Sequence, residues 1–207
     1  MVGCVSQSLD KDEIKHMVTR GDFVRLLAVS LLYRIALTGP LSLLSVYFDY
    51  RGLSALEIGF GMIIGGLSEM AIIMWNQTLF DYMSDDTLLT VSIISSGIRW
   101  LLLISAKSPF CLLATQVFEG LNYMLFYLVA VQKVNDLFPP ELAGAGQTIF
   151  GSIFYGLGPV VGSLASGIMV DNMGYNRSFS IFAVMCFCVG VIHLLLVRHF
   201  ERQGTGR

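Results

Sequence analysis

A carboxylate lies in the middle of a segment that is otherwise apolar enough to cross a bilayer. Residues 110–131 read FCLLATQVFEGLNYMLFYLVAV, and Glu119 falls near the centre of this stretch. An ionised side chain at the bilayer centre costs at least about 2.5–3.5 kcal/mol on insertion scales. Such a group usually faces a partner or a water-filled cavity, where it can bind a solute or carry a proton.

Further titratable residues fall inside apolar segments: Arg34, Glu69, Arg99 and His193. The two arginines and the two glutamates sum to zero charge, so we expect mutual pairing, with Arg99 and Glu119 as one buried pair. Such a pair could also serve only to fix helix register. A glutamate is too short to reach water from mid-membrane, which favours a solute or proton path for Glu69 and Glu119. His193, near the end of its segment, is predicted to lie at the membrane interface.

Polar residues recur at helical spacing in three of these segments. At 100° per residue, the polar residues around Glu119 fall within an arc of roughly 100° on the fourth segment. They are Gln116, Glu119, Gly120, Tyr123 and Tyr127. The third segment has a polar stripe of Ser92, Ser95, Ser96 and Arg99, and the first has one of Ser30, Arg34 and Thr38. We therefore expect three helices to turn polar stripes toward a common axis. Tyr123 and Tyr127 could equally be packing aromatics.

The composition is that of an integral membrane protein. Of the 207 residues, 55% are hydrophobic and 14% are charged, against roughly 25% charged in soluble domains. The net charge of -2 and the absence of a basic run argue against a nucleic-acid partner. Cys4, Cys111, Cys186 and Cys188 lack metal-binding spacing and are interpreted as small hydrophobic residues. We predict no metal site and no cofactor, and no nucleophile–base arrangement suggests an enzyme.

Six segments are long enough to span a bilayer as α-helices, which takes about 20 apolar residues. They are residues 23–49, 55–75, 87–106, 109–132, 147–170 and 178–198, with a loop predicted at 76–86. Eight Lys or Arg residues lie on the side of the termini against three opposite, which predicts that both termini are cytoplasmic. The predicted organisation is a cytoplasmic segment 1–21, an all-α six-helix membrane domain 22–198 and a cytoplasmic tail 199–207. The plasma membrane is the default location.

Small residues form a stripe in the fifth segment. Gly158, Gly162 and Ser166 recur at intervals of four, Ser163 and Gly167 repeat the spacing, and Gly151 shares the Gly158 face. Small-xxx-small spacing lets membrane helices approach closely. We interpret Gly151, Gly158, Gly162 and Gly167 as packing residues that could also act as a hinge or gate.

Several motifs together resemble the C-terminal half of a major facilitator superfamily transporter, over roughly residues 22–198. The similar branch includes lactose permease-like, phenylpropionate permease-like and nucleoside-proton symporter-like proteins and facilitator-domain relatives. The motifs are Glu69, Arg99-Trp100, Gln116-xx-Glu119-Gly120, Gln147 and the run Gly162-xxxx-Gly167-xxx-Asp171-xx-Gly174.

The resemblance implies a six-helix half of a twelve-helix carrier, with site roles on Glu69, Arg99, Gln116 and Glu119. Lactose permease-like proteins have a histidine where this chain has Gln116. Superfamily carriers bind substrate at the midplane between two halves, and this sequence contains one. We expect a fragment that lacks its first half; the alternatives are a half-carrier that pairs with a second copy or a partner, and a product without transport activity.

The functional hypothesis is proton-coupled symport of a small polar or anionic organic solute through the lipid bilayer. Glu119 would carry the proton, with Arg99 stabilising its ionised form in one access state. Glu69, with Asn122 or Tyr123 nearby, would hydrogen-bond the solute, and Arg34 is a candidate counter-ion or anion anchor. The alternative is a non-transporting membrane receptor, scaffold or accessory half-carrier with the same fold.

Overall fold

The computed structural model describes the backbone of residues 18–204 and the side chains of residues 18–198. Most of the predicted N-terminal segment 1–21, with Cys4, and the last three residues of the predicted tail lie outside the described residues. The description therefore concerns the membrane domain.

Within residues 18–204, six helices are long and apolar enough to cross a membrane, as the sequence predicts. The all-α fold class is confirmed. The helices are α1 (Gly21–Tyr50), α2 (Ala55–Tyr82), α3 (Asp85–Ser105), α4 (Pro109–Leu137), α5 (Ala143–Met173) and α6 (Tyr175–Gly204).

Helix starts follow local sequence signals. Ser54 accepts the Glu57 amide while the Glu57 carboxylate accepts the Ser54 amide, a capping box that begins α2. Ser84 and Ser108 accept backbone amides at the starts of α3 and α4. The predicted loop 76–86 is wrong over most of its length, because α2 continues to Tyr82. The polar residues there extend the helix instead of breaking it.

Three helices depart from regular α geometry. In α1 the helix is interrupted after Ser42, close to Pro40, which cannot donate a backbone hydrogen bond. In α4 a 3₁₀ turn (Thr115–Phe118) precedes a π-helical turn (Gly120–Leu125). A second π-helical turn (Ser152–Leu157) lies in α5, just before Pro159. π-bulges occur frequently at functional sites, which makes α4 and α5 candidates for carrying functional residues.

The bundle is built from three closely packed helix pairs: α3 with α6, α1 with α5, and α2 with α4, while α1 also packs on α6. Glycines make room for large side chains at these contacts. Gly97 of α3 lies against Phe187, Gly190 of α6 lies against Ile94, and Gly39 of α1 lies against the ring of Phe182. A Cβ at any of the three would overlap its neighbour.

The small-residue stripe of α5 faces α1. A Cβ at Gly158 would lie 2.6 Å from the Arg34 Cβ, and one at Gly162 would lie 2.7 Å from the Ile35 carbonyl oxygen. Gly151 and Gly167 lie outside this contact, since a Cβ at either would meet nothing within 4 Å. Their spacing matches the stripe, but they lie on open faces of α5.

Replacing Gly162 with alanine is expected to lower the free energy of unfolding by about 1–3 kcal/mol, because the backbone of α1 must move to admit the methyl group. Gly167→Ala is the matched control and should leave stability unchanged or slightly higher, since alanine is the better helix former. Thermal unfolding of the purified variants compares them. Equal stabilities of the two variants would mean that α1 and α5 pack less closely at Gly162 than the structure shows.

Candidate functional site

Arg99 of α3 and Glu119 of α4 form an ion pair inside the bundle. The Arg99 side chain is fully buried and the Glu119 side chain is 11% exposed; Nη1 of the arginine meets Oε2 of the carboxylate. Arg99 Nη2 also donates to Gln116 Oε1 at 2.8 Å. The guanidinium lies over the Trp100 ring, 4.8 Å from its centre. The structure thus brings together three of the residues predicted for the site.

The 3₁₀ turn in α4 explains how Gln116 and Glu119 both reach Arg99. The Glu119 amide bonds the Gln116 carbonyl, an i to i+3 contact. With 3.0 residues per turn, side chains three apart eclipse each other. Gln116 and Glu119 therefore point in one direction, and Gln116 is fixed further by donating to Thr115 Oγ1 at 3.0 Å.

Beyond this turn the predicted polar face of α4 divides. Gly120 turns toward α2, where a Cβ would overlap the Ser68 carbonyl oxygen. Tyr123 and Tyr127 turn toward α5 and pack on Phe154, with ring centres 5.9 and 5.5 Å away. A constant 100° per residue holds only in a regular α-helix, and the 3₁₀ and π turns change the phase.

An open pocket of about 220 Å³ borders the Glu119 side of the ion pair. Helices α1, α2 and α4 contribute its lining: Leu41, Leu44, Met62, Gly65, Gly66, Glu69, Gln116 and Glu119. Glu69 is half-buried here. Asn122 and Tyr123, expected near Glu69, do not line this pocket, since the π turn directs them to other helices.

Asn122 belongs to a hydrogen-bonded cluster that ties three helices together. Its side-chain oxygen accepts from Ser95 Oγ at 2.6 Å, and its carbonyl accepts the Tyr33 hydroxyl. The Tyr33 hydroxyl also lies 2.7 Å from Ser96 Oγ. Sequence reasoning found the serine stripe and Asn122 but missed Tyr33. Its position next to Arg34 on α1 was the available signal.

Ser68 links α2 to the irregular part of α4. Its Oγ accepts the Gly120 amide at 2.8 Å and donates to the Gly65 carbonyl of its own helix at 2.7 Å. The Gly120 amide comes directly after the Glu119 residue that pairs with Arg99. Ser68 was not predicted from the sequence, because a serine on an apolar helix usually bonds its own backbone.

Ser68→Ala is expected to lower the free energy of unfolding by about 1 kcal/mol, because it leaves the Gly120 amide without its acceptor in the membrane. Hydrogen–deuterium exchange at Gly120 should become faster. Ser163→Ala is the matched control, since the Ser163 hydroxyl bonds the Val160 carbonyl of its own helix. Unchanged Gly120 exchange in Ser68→Ala would show that the interhelical bond does not hold α4.

Arg34 does not pair with Glu69, contrary to the expected mutual pairing. Its Nε donates to the Phe154 carbonyl at 2.9 Å, and among the described residues no carboxylate lies within 4 Å of it. Pro159 has no N–H, and in π geometry the carbonyl left without a donor lies five residues earlier, at Phe154. Arg34 therefore completes the hydrogen bonding of the α5 bulge.

His193 is enclosed by protein near one end of the bundle. It is 2% exposed, and its Nε2 lies 3.7 Å from Asp86 Oδ1. The same oxygen lies 3.0 Å from the Lys133 ammonium. The first turn of α3 and the last turns of α4 place these charged partners around His193 at one end of the bundle, and its position at the membrane interface stays a prediction.

Comparisons with known proteins assign this fold to a transporter family. The profile of the MFS_1 like family matches residues 4–181. An uncharacterized transporter, YwbF, of Bacillus subtilis is 28% identical over 78% of this chain and 40% of its own length. Major facilitator superfamily domain-containing protein 6-like protein A of Xenopus laevis is 24% identical over 58% of this chain and 20% of its own length. The 6-like protein B of the same organism is 22% identical over 70% of this chain and 24% of its own length. The chain thus spans less than half the length of these relatives.

Proposed function

Because this chain belongs to the MFS_1 like family, we propose that it is a secondary active transporter, or one half of one, that couples the entry of a small polar or anionic organic solute to protons. The observation that carries the proposal is the Arg99–Glu119 ion pair. It is buried within the bundle but borders an open pocket. A group in this position can exchange a proton with water and still change the charge inside the protein.

Protonation of Glu119 removes the negative charge that compensates Arg99. The guanidinium then keeps Gln116 Oε1 as a neutral acceptor, which is a weaker partner than a carboxylate. Arg99 and α4 are therefore held together more strongly when Glu119 is ionised than when it is protonated. This difference biases two conformations by the protonation state of one residue.

Glu69 is the candidate solute contact in this proposal. Its half-buried carboxylate lines the pocket that Glu119 and Gln116 also border. Carboxylate and amide groups can hydrogen-bond the hydroxyl or amino groups of a polar solute. A solute bound there would lie against the proton-binding residue, which supplies the contact that coupled transport requires.

A second six-helix unit is proposed to complete the cavity. It would be an N-terminal half in a longer chain, a second copy or a partner half-carrier, and superfamily carriers bind substrate between such halves. Only 11% and 22% of the residues in the apolar stretches of α2 and α5 are buried inside the protein, against 50% in α3 and α4. The exposed faces of α2 and α5 support a partner along these two helices. The Lys/Arg distribution supports a topology with both termini in the cytoplasm.

Proteoliposomes containing the full native protein test this function. A pH gradient, acidic outside, is imposed, and the uptake of a panel of sugars, nucleosides, amino acids and organic acids is measured. At least one solute should accumulate above its external concentration, and a protonophore should abolish the accumulation. If no solute accumulates with a folded protein, the receptor or scaffold reading replaces transport.

A further inference from the structure

The buried charge of Arg34 lacks a compensating anion within the described part of the chain. Arg34 is 6% exposed, its Nε donates to the Phe154 carbonyl, and its Nη1 is buried with no hydrogen-bond partner among the described residues. Arg99, the other arginine near the bundle centre, is neutralised by Glu119. A guanidinium stays charged in proteins, so Arg34 keeps a positive charge in the interior of the membrane domain.

Aromatic rings hold this guanidinium in place without neutralising it. Its central carbon lies 4.6 Å from the centre of the Phe154 ring and 4.9 Å from that of Tyr123. Cation–π contacts of this kind contribute modestly and orient the plane of the fork. An unpaired buried charge is costly, so a preorganised cation of this kind is suited to receive an anion.

Two tyrosines lie near the cation, Tyr123 in direct ring contact and Tyr155 through Phe154. The Tyr155 ring packs edge-on against the Phe154 ring that the guanidinium contacts, with ring centres 5.2 Å apart, and Tyr155 is 51% exposed. Phenol O–H and guanidinium N–H groups are donors that a carboxylate can accept together. The exposed side of Tyr155 provides an approach that the buried Arg34 lacks.

We propose that Arg34, Tyr123 and Tyr155 form a binding site for the carboxylate group of the transported solute. The inference rests on the proposed transport function and narrows its substrate class to organic monoanions. It also gives Arg34 and Glu119 separate roles, one for the anionic group and one for the proton. A monoanion that enters with one proton moves no net charge, so transport by this scheme is electroneutral.

Equilibrium binding to the full native protein in lipid nanodiscs tests the site without any gradient. The probes are pairs of equal shape that differ in charge: propionate with propionamide, benzoate with benzamide, and gluconate with glucose. At least one carboxylate should bind about tenfold more tightly than its neutral counterpart in isothermal titration. Arg34→Gln should abolish this preference. Arg177→Gln, which removes the same charge from an exposed position, should retain it.

Tyr155→Phe gives a second variant in case Arg34→Gln does not fold, since it removes only a partly exposed hydroxyl. It should weaken carboxylate binding several-fold and leave binding of the neutral probe unchanged. The proposal is overturned if each carboxylate binds no better than its neutral counterpart, if the preference survives in Arg34→Gln, or if it is undiminished in Tyr155→Phe. Equal binding of the carboxylates and their neutral counterparts is expected if a protein carboxylate outside the described residues compensates the charge of Arg34.

Failure of this site and failure of proton coupling give different results. A carboxylate preference without accumulation in the proteoliposomes leaves the Arg34 site intact and removes the symport mechanism. Proton-driven accumulation of a neutral solute, without any carboxylate preference, removes the Arg34 site and leaves symport intact.

Discussion

Glutamine at position 119 is expected to abolish uphill solute accumulation while solute exchange continues. Glutamine has the shape of a protonated glutamate, and its amide oxygen can still accept a hydrogen bond from Arg99, so the fold and the solute pocket should persist. It cannot release a proton, however, and the pH gradient can no longer drive the cycle. In proteoliposomes, the ratio of internal to external solute should fall to about one, the value without coupling, and labelled solute should still exchange for unlabelled solute.

Glu141→Gln is the matched control for this experiment, because Glu141 is an exposed residue of the loop between α4 and α5. It undergoes the same change in charge and should accumulate solute as the unmodified protein does. Continued uphill accumulation by Glu119→Gln would assign the coupling proton to another residue. Loss of both exchange and accumulation, with a folded protein, would make Glu119 a solute-binding residue instead.

Replacing Arg99 with methionine is expected to give the largest loss of stability, about 3–5 kcal/mol of the free energy of unfolding. The change leaves the Glu119 carboxylate buried without its cation and takes away the donor that Gln116 Oε1 accepts. Methionine fills much of the volume, so the loss reflects the lost pairing more than a cavity. Unfolding in detergent, followed by circular dichroism, measures the effect.

The double variant Arg99→Met/Glu119→Gln separates pairing from packing. With both charges removed, no uncompensated ion remains, and much of the stability should return. If the double variant is as unstable as the sum of the two single variants predicts, the two residues do not interact energetically. The contact between them would then be geometric only.

The sequence was sufficient for the fold because each span needs only length and apolarity, and six segments satisfied both. It failed where local geometry departs from a regular helix. Residues 76–82 carry polar side chains but extend α2 beyond the apolar stretch. Nothing in residue type marks the 3₁₀ and π turns of α4, which pack against α2 and α3.

The candidate site shows the same limit at the level of single residues. The Arg99–Glu119 pair could be predicted because complementary charges in lipid must find each other. The partner of Arg34 could not, because it is a backbone carbonyl exposed by the bulge before Pro159. Tyr33 and Ser68 were missed for a related reason. Each bonds a backbone atom of another helix, the Asn122 carbonyl for Tyr33 and the Gly120 amide for Ser68, and no side-chain pattern reveals such a partner.

Infrared difference spectroscopy of the Glu119 carboxyl group tests the central claim most directly. The full native protein is held in lipid while the pH is varied over the range in which it stays folded, and Glu119→Gln identifies the band. If Glu119 carries the coupling proton, a carboxyl C=O band should appear and disappear reversibly with pH and be missing from Glu119→Gln. A Glu119 carboxylate that stays ionised until the protein unfolds would contradict the account and make its pair with Arg99 purely structural.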